Sequence, residues 1–173
     1  MSKKNVGKKK VAVQLPAVAK QIALEERYSL ELESLDDVAE LVEVDGSSPD
    51  SFLAGARDAD ALLTSWGIKI DQQIISGLEK CAVIGVGSVG VDMVDVDAAT
   101  AAGIVVTNVP DVFIEEVADH TLMLLLACAR RSKLMDKMVN DGKWYKGRPI
   151  LEQIPRLWGQ TLGLISFGNV ATA

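Results

Sequence analysis

The residues best placed to do chemistry in this chain are glycines. Gly85, Gly87 and Gly90 form a literal G-x-G-x-x-G after the apolar run 82–86 and before a helical stretch that starts near Asp92. An acid, Asp111, stands 21 residues past Gly90. That order suits a dinucleotide: glycines let backbone approach a pyrophosphate, a helix N-terminus offers N–H donors, and an acid reads the ribose. The same physics serves any anion, so spacing alone leaves the ligand open. A second glycine turn stands at Gly168, behind the buried-strand pattern of residues 161–166. The helix that should follow this turn is expected to fall outside the chain.

Other chemistry-bearing side chains have plainer readings beside the active one. His120 is the only histidine. Next to Asp119 it could be a general acid, or it could pack on its helix. Arg130 and Arg131 could clamp an anion, but adjacent helical residues point in different directions, which suits a solvated face. Asp92, Asp95 and Asp97 lack the glycine and terminal Glu of a calcium loop and suit the first turn of a helix, so no metal is expected. Trp66, after a strand end, could line a substrate pocket or simply pack. Cys81 and Cys128 lie among apolar residues and read as buried free thiols, which fits a reducing cytoplasm.

The elements that must hold these residues alternate. Strand patterns fall at 10–15, 41–44, 59–64, 82–86 and 104–108. Helical patterns fall at 17–27, after Ser48 (N-cap) and Pro49, at 72–78 behind Asp71, and at 92–102 closed by Gly103. Five strands alternating with helices predict an α/β fold with a parallel sheet and right-handed crossovers. One long helix is predicted from Ile114 to about Asp141. Its centre, residues 121–129, is apolar nearly all round but too short to span a bilayer, so it is predicted to be buried between domains or subunits. Residues 142–158 read as a loop.

Of the 173 residues, 49% are hydrophobic and 24% charged, and the net charge is −6. Lys3, Lys4, Lys8, Lys9 and Lys10 open the chain, and the remaining residues carry 13 basic against 24 acidic side chains. A body this acidic argues against nucleic-acid binding. The lysine-rich start reads as a disordered lead-in, without the apolar stretch of a secretory signal. A cytoplasmic protein with no membrane span is expected.

Four ordered segments sharpen the reading: residues 90–99 (GVDMVDVDAA), 103–110 (GIVVTNVP), 116–131 (EVADHTL through ARR) and 157–163 (LWGQTLG). Together they resemble the D-isomer-specific 2-hydroxy-acid dehydrogenase family, which includes phosphoglycerate and glyoxylate/hydroxypyruvate dehydrogenases. The resemblance spans roughly residues 10–173 and is specific from residue 78 onward.

It implies a flavodoxin-like substrate domain at 10–108 after a lead-in at 1–9. The start of a Rossmann domain, beginning with the interdomain helix, would occupy 109–173 and be truncated. It also reassigns the glycines. Backbone N–H groups of Val89 and Gly90 would bind the substrate carboxylate. Gly168, Asn169 and Val170 would hold the cofactor, with Val117 bordering its nicotinamide end. In this second turn Ser166 and Ala171 replace the first and third glycines, and Ser166 is the departure, because that glycine makes the tight turn. The family's catalytic Arg, Glu and His would lie beyond Ala173, leaving His120 non-catalytic.

The implied activity is oxidation of a 2-hydroxy acid, or reduction of the 2-oxo acid, with NAD or NADP, NAD being favoured. A homodimer is implied at full length, and the 173-residue chain alone is expected to be inactive. Two alternatives of other classes stand beside it. One is a corepressor-like or dimerising interaction protein that uses the apolar helix. The other is a stand-alone anion binder that uses Gly85 to Gly90.

Overall fold

Parallel pairing organises the first part of the chain. A computed structural model describes residues 7–15, 22–35 and 37–173. Strands β1 (Lys9–Leu15), β2 (Ala39–Asp45), β3 (Ala61–Thr64), β4 (Val83–Val86) and β5 (Val105–Thr107) form one sheet in the order β2-β1-β3-β4-β5, every pair parallel. This is the flavodoxin-like order, in which the chain reverses its direction of growth between β1 and β3. The predicted lead-in lies mostly outside the described residues, as does the first part of the helix predicted at 17–27. What is described there is a single turn, α1 (Leu24–Arg27), followed by α2 (Ser29–Leu35).

The crossover helices are α3 (Pro49–Ala56), α4 (Gln72–Gly77) and α5 (Val96–Ala101). Their starts follow side-chain chemistry. Ser48 Oγ accepts from Ser51 N–H at 3.1 Å with Pro49 in the first turn, and Asp71 Oδ1 accepts from Ile74 N–H at 3.1 Å. Each cap satisfies an N–H that the helix itself leaves unpaired. Helix α5 starts later than its apolar pattern suggests. Asp95, not Asp92, caps it, accepting from Ala98 N–H at 2.9 Å, while Ile70 and Val94 form a parallel bridge that keeps residues 91–94 extended or turned. Gly103, at φ +74°, ends it in the left-handed conformation expected of a closing glycine. Phe52, Leu62, Ile70, Ile74 and Ile84 are the largest fully buried side chains and pack the core around the sheet.

At the amino ends of the strands Asp60 is a junction. Its carboxylate accepts from Lys10 N–H (2.9 Å), Lys9 Nζ (3.0 Å) and Lys80 Nζ (3.3 Å), and its backbone N–H and C=O join Lys10 and Ala82. These donors hold its pKa down at about 2, the Lys10 N–H being the largest cause.

The chain divides into two units, Met1–Pro110 and Asp111–Ala173. The second holds α6 (Ile114–Ala129), α7 (Ser132–Asn140), α8 (Trp144–Glu152) and the single turn α9 (Asn169–Thr172). Four expectations change here. The long helix is two helices, broken at Arg131, which sits in the left-handed region at φ 51°. Apolar periodicity runs across the break because one left-handed residue redirects the chain without altering the pattern. Residues 144–152, expected as a loop, are helical despite Pro149, whose missing N–H removes only one intrahelical bond. Here Gly147 lets α8 lie against Met135 and Met138 of α7. Residues 161–166 are not a strand: Leu162, Leu164 and Ile165 are exposed, and no described strand pairs with them. A strand exists by its ladder, and apolar character alone cannot supply one. Finally, the helix after Gly168 is present as its first turn, α9.

The apolar run of α6 is also exposed rather than buried in this chain. Leu122, Met123, Leu124 and Leu126 are each about half exposed, and α6 has no buried residue. No helix among the described residues is long and apolar enough to cross a membrane.

Candidate functional site

In the first unit the loop of residues 87–90 leaves the carboxyl end of β4. Gly87 N–H donates to Thr64 O (2.8 Å), tying the loop to the end of β3. From there its carbonyls are engaged one after another. Ser88 O accepts from Val109 N–H (3.1 Å), Val89 O from Asn108 Nδ2 (2.7 Å), and Gly90 O from Ser88 Oγ (2.8 Å). The N–H groups of Ser88, Val89 and Gly90 have no acceptor among the described residues. Val89 and Gly90 are exposed. With carbonyls engaged and amides free, the loop presents donors to solvent, as an anion requires.

This geometry corrects the fingerprint reading of Gly85, Gly87 and Gly90. No helix begins directly at Gly90: residues 91–95 are non-helical and α5 starts only at Val96, so the free donors are those of the loop itself. The Asp92 carboxylate lies beside Gly90, and a Cβ there would come within 2.6 Å of Asp92 Oδ2. Asp95 is spent as a cap, and no group of three or more potential metal ligands occurs among the described residues.

A pocket of about 170 Å³ adjoins the loop at Gly87. It lies outside the carboxyl ends of β1 and β3, the reversal point of the strand order, where open α/β sheets place their ligands. Its walls include Gln14, Tyr28, Glu31, Thr64, Ser65 and Trp66. Trp66, 82% exposed, is one wall of this pocket. Gln14, Tyr28, Glu31 and Asn108 went unremarked in the sequence. Gln14 carried a faint signal, as a polar residue near the end of an otherwise apolar strand. Gly46 and Gly67 leave room for its side chain, and its Oε1 accepts from Ile68 N–H at 2.7 Å. Burial raises the Tyr28 pKa, with Arg27 lowering it and Glu31 raising it to lesser degrees.

The second glycine turn lies in the other unit. Gly168 is the N-cap of α9, and a Cβ there would meet nothing within 4 Å, so the backbone is open to close approach. The N–H groups of Asn169 and Val170 have no acceptor among the described residues, while those of Ala171 and Thr172 return to Gly168 O. Asn169 Nδ2 donates to Asp111 Oδ1 at 2.9 Å. Ser166 has φ 75°, a glycine-like backbone carried by a side-chain-bearing residue. Val117 is about half exposed on α6. Free first-turn donors and an open Gly168 fit a dinucleotide phosphate.

His120 is exposed on α6. Both cysteines are free, but only Cys81 is partly buried, and Cys128 is exposed. Burial pushes the Cys81 thiol up, away from a reactive thiolate.

A parallel sheet in this order, with a donor loop at its carboxyl end, defines an α/β protein of the flavodoxin-like type. The sequence matches the D-isomer specific 2-hydroxyacid dehydrogenase catalytic domain over residues 17–172, and the chain belongs to that family. It is 38% identical over 136 residues to a D-3-phosphoglycerate dehydrogenase of Methanocaldococcus jannaschii, covering 79% of this chain and 25% of that protein. It is 36% identical over 130 residues to a glyoxylate reductase of Pyrococcus furiosus, covering 72% and 38%. Among solved structures, the NADPH-dependent glyoxylate/hydroxypyruvate reductase of Sinorhizobium meliloti, in complex with NADP and malonate, superposes with a TM-score of 0.71 at 28% identity, over 96% of this chain and 48% of that one. The chain therefore spans about a quarter to a half of the length of these relatives.

Proposed function

We propose that this chain contributes the substrate-carboxylate loop and the beginning of the cofactor site to a nicotinamide-dependent 2-hydroxy-acid dehydrogenase. The observation that carries this reading is the loop of residues 88–90, whose three carbonyls are engaged and whose N–H groups have no acceptor among the described residues. The N–H groups of Val89 and Gly90 bind the carboxylate of a 2-oxo or 2-hydroxy acid, and Asn108 holds the loop in shape through Val89 O. Gly168 lets the cofactor's pyrophosphate approach, with Asn169 and Val170 donating to it, and Val117 borders the nicotinamide end. The nicotinamide, when bound, supplies or accepts the hydride. The residues assigned here bind and orient the two ligands, and none of them is assigned the proton transfer. NAD is the first cofactor to test, and the full-length protein is a homodimer in this reading.

The class is tested on the protein captured from its native extract with an antibody against residues 1–160. Captured material should reduce glyoxylate or hydroxypyruvate with NADH or NADPH. Quantitative capture without such activity would count against the dehydrogenase reading and favour an interaction protein that uses the exposed face of α6.

A further inference from the structure

The pocket beside the carboxylate loop carries a charge that its relatives' names make consequential. Among those relatives are dehydrogenases of a phosphorylated acid and reductases of an unphosphorylated one. A phosphoryl group entering this pocket would need cations or a dense set of donors. Among the described residues that line it, none is Lys, Arg or His, and the one ionisable carboxylate is Glu31, half-buried on α2. The rest of the polar lining is neutral. Thr64 is only 6% exposed, and its hydroxyl has no partner among the described residues. The Gln14 amide is fixed by Ile68 N–H at its oxygen, and its Nε2 has no acceptor there. Ser65 and Tyr28 add hydroxyls, and Trp66 adds an apolar wall.

We infer that this pocket selects 2-oxo and 2-hydroxy acids with a short, uncharged, hydroxyl-bearing substituent and rejects phosphorylated ones, with Glu31 as the rejecting residue. The inference rests on the carboxylate-loop reading above. With the carboxylate on residues 88–90, a short substituent reaches the wall at Gly87 and finds the Thr64 hydroxyl and the Gln14 amide. A phosphate would instead meet the Glu31 carboxylate at close range, where like charges repel strongly because protein screens them less than bulk water does. Glu31 acts by charge on the substituent and takes no part in the reaction.

The test is a titration of the purified 173-residue chain with hydroxypyruvate and, separately, with 3-phosphohydroxypyruvate. It follows the amide resonances of residues 88–90 and the indole resonance of Trp66. Hydroxypyruvate should move both sets and bind at least about tenfold more tightly than its phosphorylated analogue. Glu31→Gln should shrink that ratio several-fold, and Glu31→Lys should bring it near or below one. Thermal unfolding of both variants checks that the fold is kept, as expected for a half-exposed position on α2. Equal or tighter binding of the phosphorylated acid to the wild type, with the loop amides moving, would overturn the pocket's selectivity and leave the loop reading standing. A ratio unchanged by Glu31→Lys would overturn the role of Glu31. Silence of the loop amides toward both acids would overturn the loop reading, and the selectivity with it.

Discussion

Ser166 concentrates the tension between sequence and site. Its φ of 75° places a Cβ where glycine alone is at ease, and a left-handed backbone costs a side-chain-bearing residue about 1–2 kcal/mol. Ser166→Gly should therefore stabilise the second unit by about 1 kcal/mol, seen as a higher urea midpoint at unchanged m-value. A lower midpoint would mean that the hydroxyl supplies something the backbone conformation does not reveal. Asp60 makes a different prediction. Its carboxyl titrates at about 2 in the fold, against an ordinary 3.8. Its stabilising contribution is therefore complete above about pH 4 and disappears as pH falls toward 2. Asp60→Asn should lower stability at pH 6 while flattening its loss between pH 4 and 2, measured by urea titrations across that range. Residue types pointed to the donor loop and the second turn, because glycines and an ordered motif series are visible in a string of letters. Thr64 and Glu31 could not be found that way, and Gln14 only faintly, since the pocket draws them from β3, α2 and β1, which are far apart in the chain.

Capping and pairing explain which elements were legible. Ser48 and Asp71 could be read as caps because their chemistry is local, three residues from the N–H they satisfy. Replacing either by Ala should cost about 1 kcal/mol, and Phe52→Ala, in the centre of the core, about 3–5 kcal/mol, both measured by denaturant unfolding. All five strands of the sheet were also legible, as short apolar runs between helical patterns. Residues 161–166 share that apolar character yet form no strand, because pairing is a property of two segments and no described segment pairs with this one. The break at Arg131 and the helix through Pro149 were illegible for the opposite reason. A single left-handed residue leaves no trace in an apolar period, and a proline reads as a stop even where packing on α7 carries the helix past it.

At the scale of the whole molecule, two units divide at Pro110 and Asp111, and the chain spans about a quarter to a half of the length of its relatives. The core and the sheet lie in the first unit, while the second exposes the apolar side chains of α6. An exposed face of this kind binds hydrophobic dyes and promotes association. Changing Leu122 and Leu126 together to Gln should cut dye fluorescence and self-association in light scattering without lowering the stability of the first unit. The central claim concerns the first unit, and amide spectra of the purified chain titrated with glyoxylate test it most directly. Glyoxylate carries the carboxylate and the 2-oxo group with no substituent, so it probes the loop apart from the pocket. Saturable shifts confined to Ser88, Val89 and Gly90, weakened several-fold by Asn108→Ala, are the predicted result. No shift at these amides at saturating glyoxylate, or shifts centred elsewhere, would contradict the assignment of this loop as the carboxylate site.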